Sequence, residues 1–161
     1  MMKNPKSKIR FYIVAIALLP FVLLLVTGAF MLIYHTGKPY ESKAMGLDGH
    51  DWLMFHQIMS VIVIPMIILH LTIKTDWLKR LFCFQLKGKF KVSNLLIFVF
   101  FMLSFLSSFF SWLIIQDPDI ANLLRGIHNK LGMVLLILFV IHLVHYSKMM
   151  VNMTKEIIVY M

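Results

Sequence analysis

Four long apolar runs, roughly 11–34, 52–73, 94–115 and 126–147, alternate with short polar and charged segments. From Phe11 to Ile33 there are 23 positions without a charged residue. About 20 apolar residues in a helix cross a hydrocarbon core about 30 Å thick. In lipid, a helix is the form in which each span satisfies its own backbone polar groups. The connections are short, so neighbouring helices should run antiparallel. The pattern predicts an all-α membrane protein, a single domain over residues 1–161 built as a four-helix up-down-up-down bundle.

Composition agrees with this pattern. The 161 residues are 60% hydrophobic and 14% charged, with a mean hydropathy of +0.85. A soluble domain of this size could not cover so much apolar surface. The basic start, MMKNPKSKIR, followed by an apolar run suggests a signal peptide, but the run is too long for an h-region and no A-x-A-like site follows. The segment is expected to be retained. The single cysteine, Cys83, leaves no disulfide framework, and without CxxCH no covalent c-type haem attachment is expected.

The net charge of +9 does not point to nucleic acid, because the charges lie beside the apolar spans. There they act as topology signals and contacts for anionic lipid. Lys3, Lys6, Lys8 and Arg10, then Lys74, Lys79, Arg80, Lys87, Lys89 and Lys91, then Lys148 and Lys155 share one side. They are twelve of the sixteen basic residues. Lys38, Lys43, Arg125 and Lys130 lie on the other side, with Glu41, Asp48, Asp51, Asp117 and Asp119. The positive-inside rule predicts a multi-pass membrane protein with both termini in the cytoplasm.

Histidines bring in the chemistry. The second span carries His56 and His70, the fourth His128 and His142, and thirteen residues separate the members of each pair. At about 100° per residue, the second ring falls about 40° from the first, so both share a helix face about 21 Å apart along the axis. Spans two and four should run parallel, which sets His56 level with His128 and His70 with His142. Phe55-His56 answers Ile127-His128, and Leu69-His70-Leu71 answers Ile141-His142-Leu143, as an internal repeat. Ionisable groups inside a membrane are costly and usually functional. Imidazole suits Fe, Cu and Zn alike, but a separation of about 21 Å prevents four nitrogens from meeting at one metal. A porphyrin supplies the four missing ligands, so two b-type haems use all four paired histidines. The iron of each would take two of His56, His70, His128 and His142. Structural and proton-relay roles are the competing readings.

Other residues carry weaker signals. Ser60 and Gly132, each four positions past a first histidine, are small enough for a macrocycle to approach, and equally suit helix packing. His145 lies about 100° from the His128 direction. It is an alternative to His142 as ligand, a propionate or quinone contact, or an interfacial side chain. Arg125 and Lys130 at one level, and Lys74 and Lys148 at the other, are candidate propionate partners, or snorkelling anchors. His35 and His50 read as solvated outer-loop residues. Ser104, Ser107, Ser108 and Ser111 read as a packing seam, and Gly28, Pro20 and Pro65 as places where helices could bend or approach.

Paired histidines on the second and fourth helices resemble the haem-binding core of respiratory cytochrome b. The short four-helix form, with IHNKLG and IHLVHYSKMM in the last span, looks like a bacterial family of small cytochrome-b-like membrane proteins. These are related to the cytochrome b subunits of hydrogenases and formate dehydrogenases. The likeness extends over essentially the whole chain. It implies that His56 with His128 holds an outer haem and His70 with His142 an inner one. No quinone-site motif of the large cytochrome b can be matched. The expected function is transmembrane electron transfer by a dihaem cytochrome b, between a quinone and an outer-face redox subunit, either a multihaem cytochrome or an iron–sulfur protein. The rival expectations are a stand-alone superoxide-oxidising or ferric-reducing oxidoreductase, a haem-bearing membrane anchor, and a haem-free transporter with a histidine proton relay.

Overall fold

A computed structural model describes residues 5–33, 43–83, 85, 88 and 90–159. Lys3, His35, Lys38, Glu41, Lys87 and Lys89 lie outside the described residues, as do the side chains of Lys6, Lys8 and Arg10. The described chain is almost entirely helical: α1 (Pro5–Ile33), α2 (Gly49–Ile73), α3 (Thr75–Phe82), α4 (Lys91–Phe109), a π-helical turn (Phe110–Ile114) and α5 (Pro118–Val159). Among the described residues, four stretches are long and apolar enough to cross a membrane: Phe11–Leu32, Gly49–Ile73, Lys91–Ile114 and Pro118–Lys155. Each overlaps one of the four expected spans, the last extending well beyond it at both ends.

Helix starts depart from the edges of the apolar runs because polar caps lie outside those runs. Asp48 accepts hydrogen bonds from the His50 and Asp51 backbone amides, and the Asp51 carboxylate accepts from the Asp48 amide, closing a capping box. The helix therefore begins at Gly49 and takes in His50, expected in a loop. Asp117 Oδ1 accepts from the Asp119 and Ile120 amides at 2.9 and 3.1 Å, and Pro118 takes the first helical position, where its missing N–H costs nothing. As a result α5 starts eight residues before the expected span at 126 and runs on to Val159. The segment after α2 also holds a helix that the apolar pattern does not announce. In α3, Trp77, Leu78 and Leu81 are partly buried while Asp76, Lys79 and Arg80 are exposed, the form of a short helix lying at an interface.

The chain divides into two compact units, one formed by residues 1–86 with 147–161, the other by residues 87–146. In the first, α1 packs on α2. Phe30 stacks on Trp52 with ring centroids 4.8 Å apart, and Thr27 meets His56. Descending residue numbers on α1 meet ascending ones on α2, so the pair is antiparallel. Ahead of α2, Ala44 and Leu47 exchange backbone hydrogen bonds across a tight turn. Met45 and Gly46 there have φ of 52° and 83°. The Trp52 indole donates to the Ala44 carbonyl at 3.1 Å and ties that turn to the helix.

In the second unit, Ser104 meets His128 and Asn94 meets Tyr146, so α4 and α5 are antiparallel as well. Ser104 and Ser107 on α4 and Ser111 in the π-helical turn are buried. Ser107 and Ser111 donate to carbonyls three residues back. Large apolar side chains face outward on every span, among them Leu19, Val61, Leu103 and Val144, the last 67% exposed. Water would penalise that surface by about 25 cal/mol per Å²; lipid does not. The architecture is that of a multi-pass membrane protein.

Candidate functional site

All four paired histidines lie inside long helices and are partly buried. His56 and His70 belong to α2 in the first unit, and His128 and His142 to α5 in the second. The continuous helices preserve the shared face and the axial rise of about 21 Å within each pair.

The His56 ring rests on α1. Its Nδ1 is 2.9 Å from Thr27 Oγ1, and Thr27 itself is only 1% exposed. Thr27 also donates its hydroxyl proton to the Leu24 carbonyl at 2.9 Å. A hydroxyl has one proton to give, so towards His56 it acts as acceptor. His56 Nδ1 therefore carries hydrogen and donates it, which leaves the lone pair of the neutral ring on Nε2. Gly28 supplies the space: a Cβ added there would stand 3.2 Å from His56 Cε1 and 3.7 Å from Nδ1. Neither Thr27 nor Gly28 is marked by the histidine pattern. The sequence signal is a lone hydroxyl beside a glycine in an otherwise apolar span.

His128 reaches the same state through a different partner. Its Nδ1 is 3.0 Å from the Ser104 carbonyl oxygen and 3.2 Å from Ser104 Oγ. A carbonyl only accepts, so Nδ1 again carries the proton, shared between the two oxygens, and Nε2 again bears the lone pair. The expected serine seam thus does more than pack, since one of its members orients a histidine.

At the opposite end of the second unit a polar cluster gathers around His145 and Tyr146. Phe90 stacks on the His145 ring at 4.1 Å, and Tyr146 lies 4.7 Å from the His142 ring. Asn94 Nδ2 donates to the Tyr146 hydroxyl at 2.8 Å. Ser93 Oγ, Asn94 Oδ1 and His145 Nδ1 are buried without hydrogen-bond partners. Each such group costs about 1–3 kcal/mol while unsatisfied, so the cluster is suited to a polar guest. Phe90, Ser93 and Asn94 were not legible from the histidine spacing. Their signal is a polar pair at the start of an apolar run, one helical turn past an aromatic residue.

The candidate propionate partners are all exposed: Lys74, Arg125, Lys130 and Lys148. Arg125 donates to Asn122 Oδ1 at 3.0 Å. Ser60 donates to the Gln57 carbonyl at 2.7 Å, whereas a Cβ added to Gly132 would meet nothing within 4 Å. Among the described residues, no three His, Cys, Asp or Glu side chains gather to hold a metal ion by themselves. The donor set fits haem, which needs only two histidine nitrogens per iron. Two of the four histidines are held in the tautomer that a metal bound through Nε2 requires, and Gly132 leaves open space on α5 one turn past His128. Comparison with protein-family models, curated proteins and solved structures finds no match to this chain.

Proposed function

We propose that this protein is a dihaem b-type cytochrome that carries electrons across the bacterial cytoplasmic membrane. The observation that carries this reading is the common state of His56 and His128. These two residues occupy equivalent positions in the repeated histidine pattern, and each is held through Nδ1 by a neighbouring helix that contributes no candidate ligand. Metal-ligating histidines characteristically donate their other ring N–H to an oxygen in this way. The sequence register assigns His56 and His128 to one haem, and His70 and His142 to the other. Bound there, each iron would take up and release one electron, with a potential set by ligands, burial and nearby charge.

The chain's own residues do the holding. Thr27 and Ser104 fix two imidazoles, Gly28 and Gly132 keep space beside them, and the apolar spans exclude water. Arg125, Lys130, Lys74 and Lys148 are the proposed propionate contacts. A quinone headgroup is proposed at the Phe90 end of the second unit, where Ser93, Asn94 and His145 offer unsatisfied polar atoms beside an aromatic ring. His145 is there read as a contact to that guest, with ligation in place of His142 as the alternative. The distribution of basic residues supports a cytoplasmic location for both termini, and the proposed redox partner, a multihaem cytochrome or an iron–sulfur protein, would act at the outer face. The resemblance to small cytochrome-b-like proteins supports the same reading.

The deciding experiment is a pyridine haemochrome ratio with reduced-minus-oxidised spectra on the purified full-length protein. Two b-type haems per chain, low-spin in both redox states, are expected. One haem would leave a pair misassigned, with His145 the first to examine. A well-folded, colourless preparation from haem-replete cells would overturn the reading.

A further inference from the structure

We infer that Thr27 is a positioning residue that orients His56 and makes the metal held by His56 more electron-rich, an inference that rests on the haem reading above. A threonine in a membrane helix commonly returns its hydroxyl proton to a carbonyl three or four residues back. Thr27 does so to Leu24. That bond alone would be a local matter. Here the same oxygen receives the His56 Nδ1–H at 2.9 Å, in a position 1% exposed. The result is a chain from imidazole N–H through hydroxyl O–H to backbone carbonyl. Each donor polarises the next.

The neighbouring glycine makes this a built seat. The His56 ring lies where any side chain at position 28 would press on it, at 3.2 Å from Cε1, tighter than ordinary van der Waals contact. Thr27 and Gly28 are adjacent on α1, one supplying the acceptor and the other the space. Drawing the proton of Nδ1 towards an acceptor increases the basicity of Nε2. A more basic ligand favours ferric over ferrous iron, so the hydrogen bond lowers the reduction potential. Thr27 thus belongs to the redox site although α1 holds no ligand.

The test is a redox titration, followed by optical and EPR spectra, of purified wild type, Thr27→Val and Thr27→Ser. Two low-spin haems in the wild type are the condition set by the haem reading; their absence would sink that reading by itself. Given them, Thr27→Val should displace one of two waves upward by about tenfold in the ferric-to-ferrous ratio, about 59 mV for one electron. The other wave should stay in place. Thr27→Ser, which keeps the hydroxyl, should stay near the wild type. Unmoved waves in Thr27→Val, both waves moving together, or an equal shift in Thr27→Ser would each overturn the assignment. Should Thr27→Val fail to retain haem, ¹⁵N-histidine spectra of the haem-free proteins decide. His56 protonated at Nδ1 in wild type but not in Thr27→Val supports the inference; the same tautomer in both overturns it.

Discussion

His56 and His128 occupy equivalent places in two copies of one sequence pattern, yet their holders differ in kind. On α2 the acceptor is a side-chain oxygen, Thr27 Oγ1. On α5 it is principally a main-chain oxygen of Ser104. The two solutions give the same tautomer. A hydroxyl becomes a committed acceptor only because its own proton is spent on Leu24, whereas a carbonyl has no other option. The α1 seat is therefore open to tuning by one substitution, while the α4 seat is fixed by helix geometry. One histidine is set by residue choice and the other by the path of the backbone.

The largest expected break of this comparison removes a ring altogether. We predict that His56→Ala or His128→Ala loses one haem and keeps most of the other, read as the haem-to-protein ratio. Equal loss of both from stably inserted protein would show that the levels are not independent. Next comes crowding. Gly28→Val should push the His56 ring off its seat at a cost of about 1–3 kcal/mol, seen as lower unfolding midpoints in detergent with or without haem. Gly132→Ala, which meets no neighbour, should leave the haem-free protein's midpoint at or slightly above the wild-type value and lower haem retention alone. A destabilised haem-free Gly132→Ala protein would contradict the open approach assigned there.

Ser104→Ala should have a smaller effect than Thr27→Val, because it keeps the carbonyl at 3.0 Å and gives up only the weaker 3.2 Å contact. A shift as large as that of Thr27→Val would mean that the hydroxyl, not the carbonyl, is the principal partner of His128.

The smallest effect concerns the start of α2, seven residues before His56. Hydrogen bonds from the Asp51 backbone amide, and then from that of His50, hold the Asp48 carboxyl below its ordinary range. Its folded value is lowered, so its contribution to the cap is fully present above the unfolded value. That contribution is lost as pH falls through the lowered one. Acidification should therefore speed hydrogen exchange, corrected for the intrinsic rate, at the His50 and Asp51 amides. The Ser104–His128 seat, which has no such carboxylate, should show no matching change. Exchange at those two amides that is insensitive to acid would remove Asp48 from the capping role.

The four spans were legible because lipid imposes a rule that sequence can display: long apolar runs with internally satisfied backbones. Their ends were less legible. Asp48 and Asp117 start their helices from outside the apolar windows, and nothing halts α5 after Tyr146, so the helices outrun the runs that announce them. The eight-residue α3 has too few residues for its period to stand out between charged neighbours. The His–x13–His spacing placed each pair on one face by arithmetic alone, since a continuous helix fixes angle and rise.

What the sequence by itself determined is thus the number of membrane helices, the chemical type of the candidate ligands and their register. The holders of His56 and His128 were decided only by the tertiary structure. A lone threonine in one apolar helix and one serine among several in another carry no sign of which partner they will meet. That depends on which face of α1 turns to α2, and on which carbonyl of α4 lies beside α5. Packing of side chains across antiparallel helices sets both, and it has no counterpart in the period of either helix.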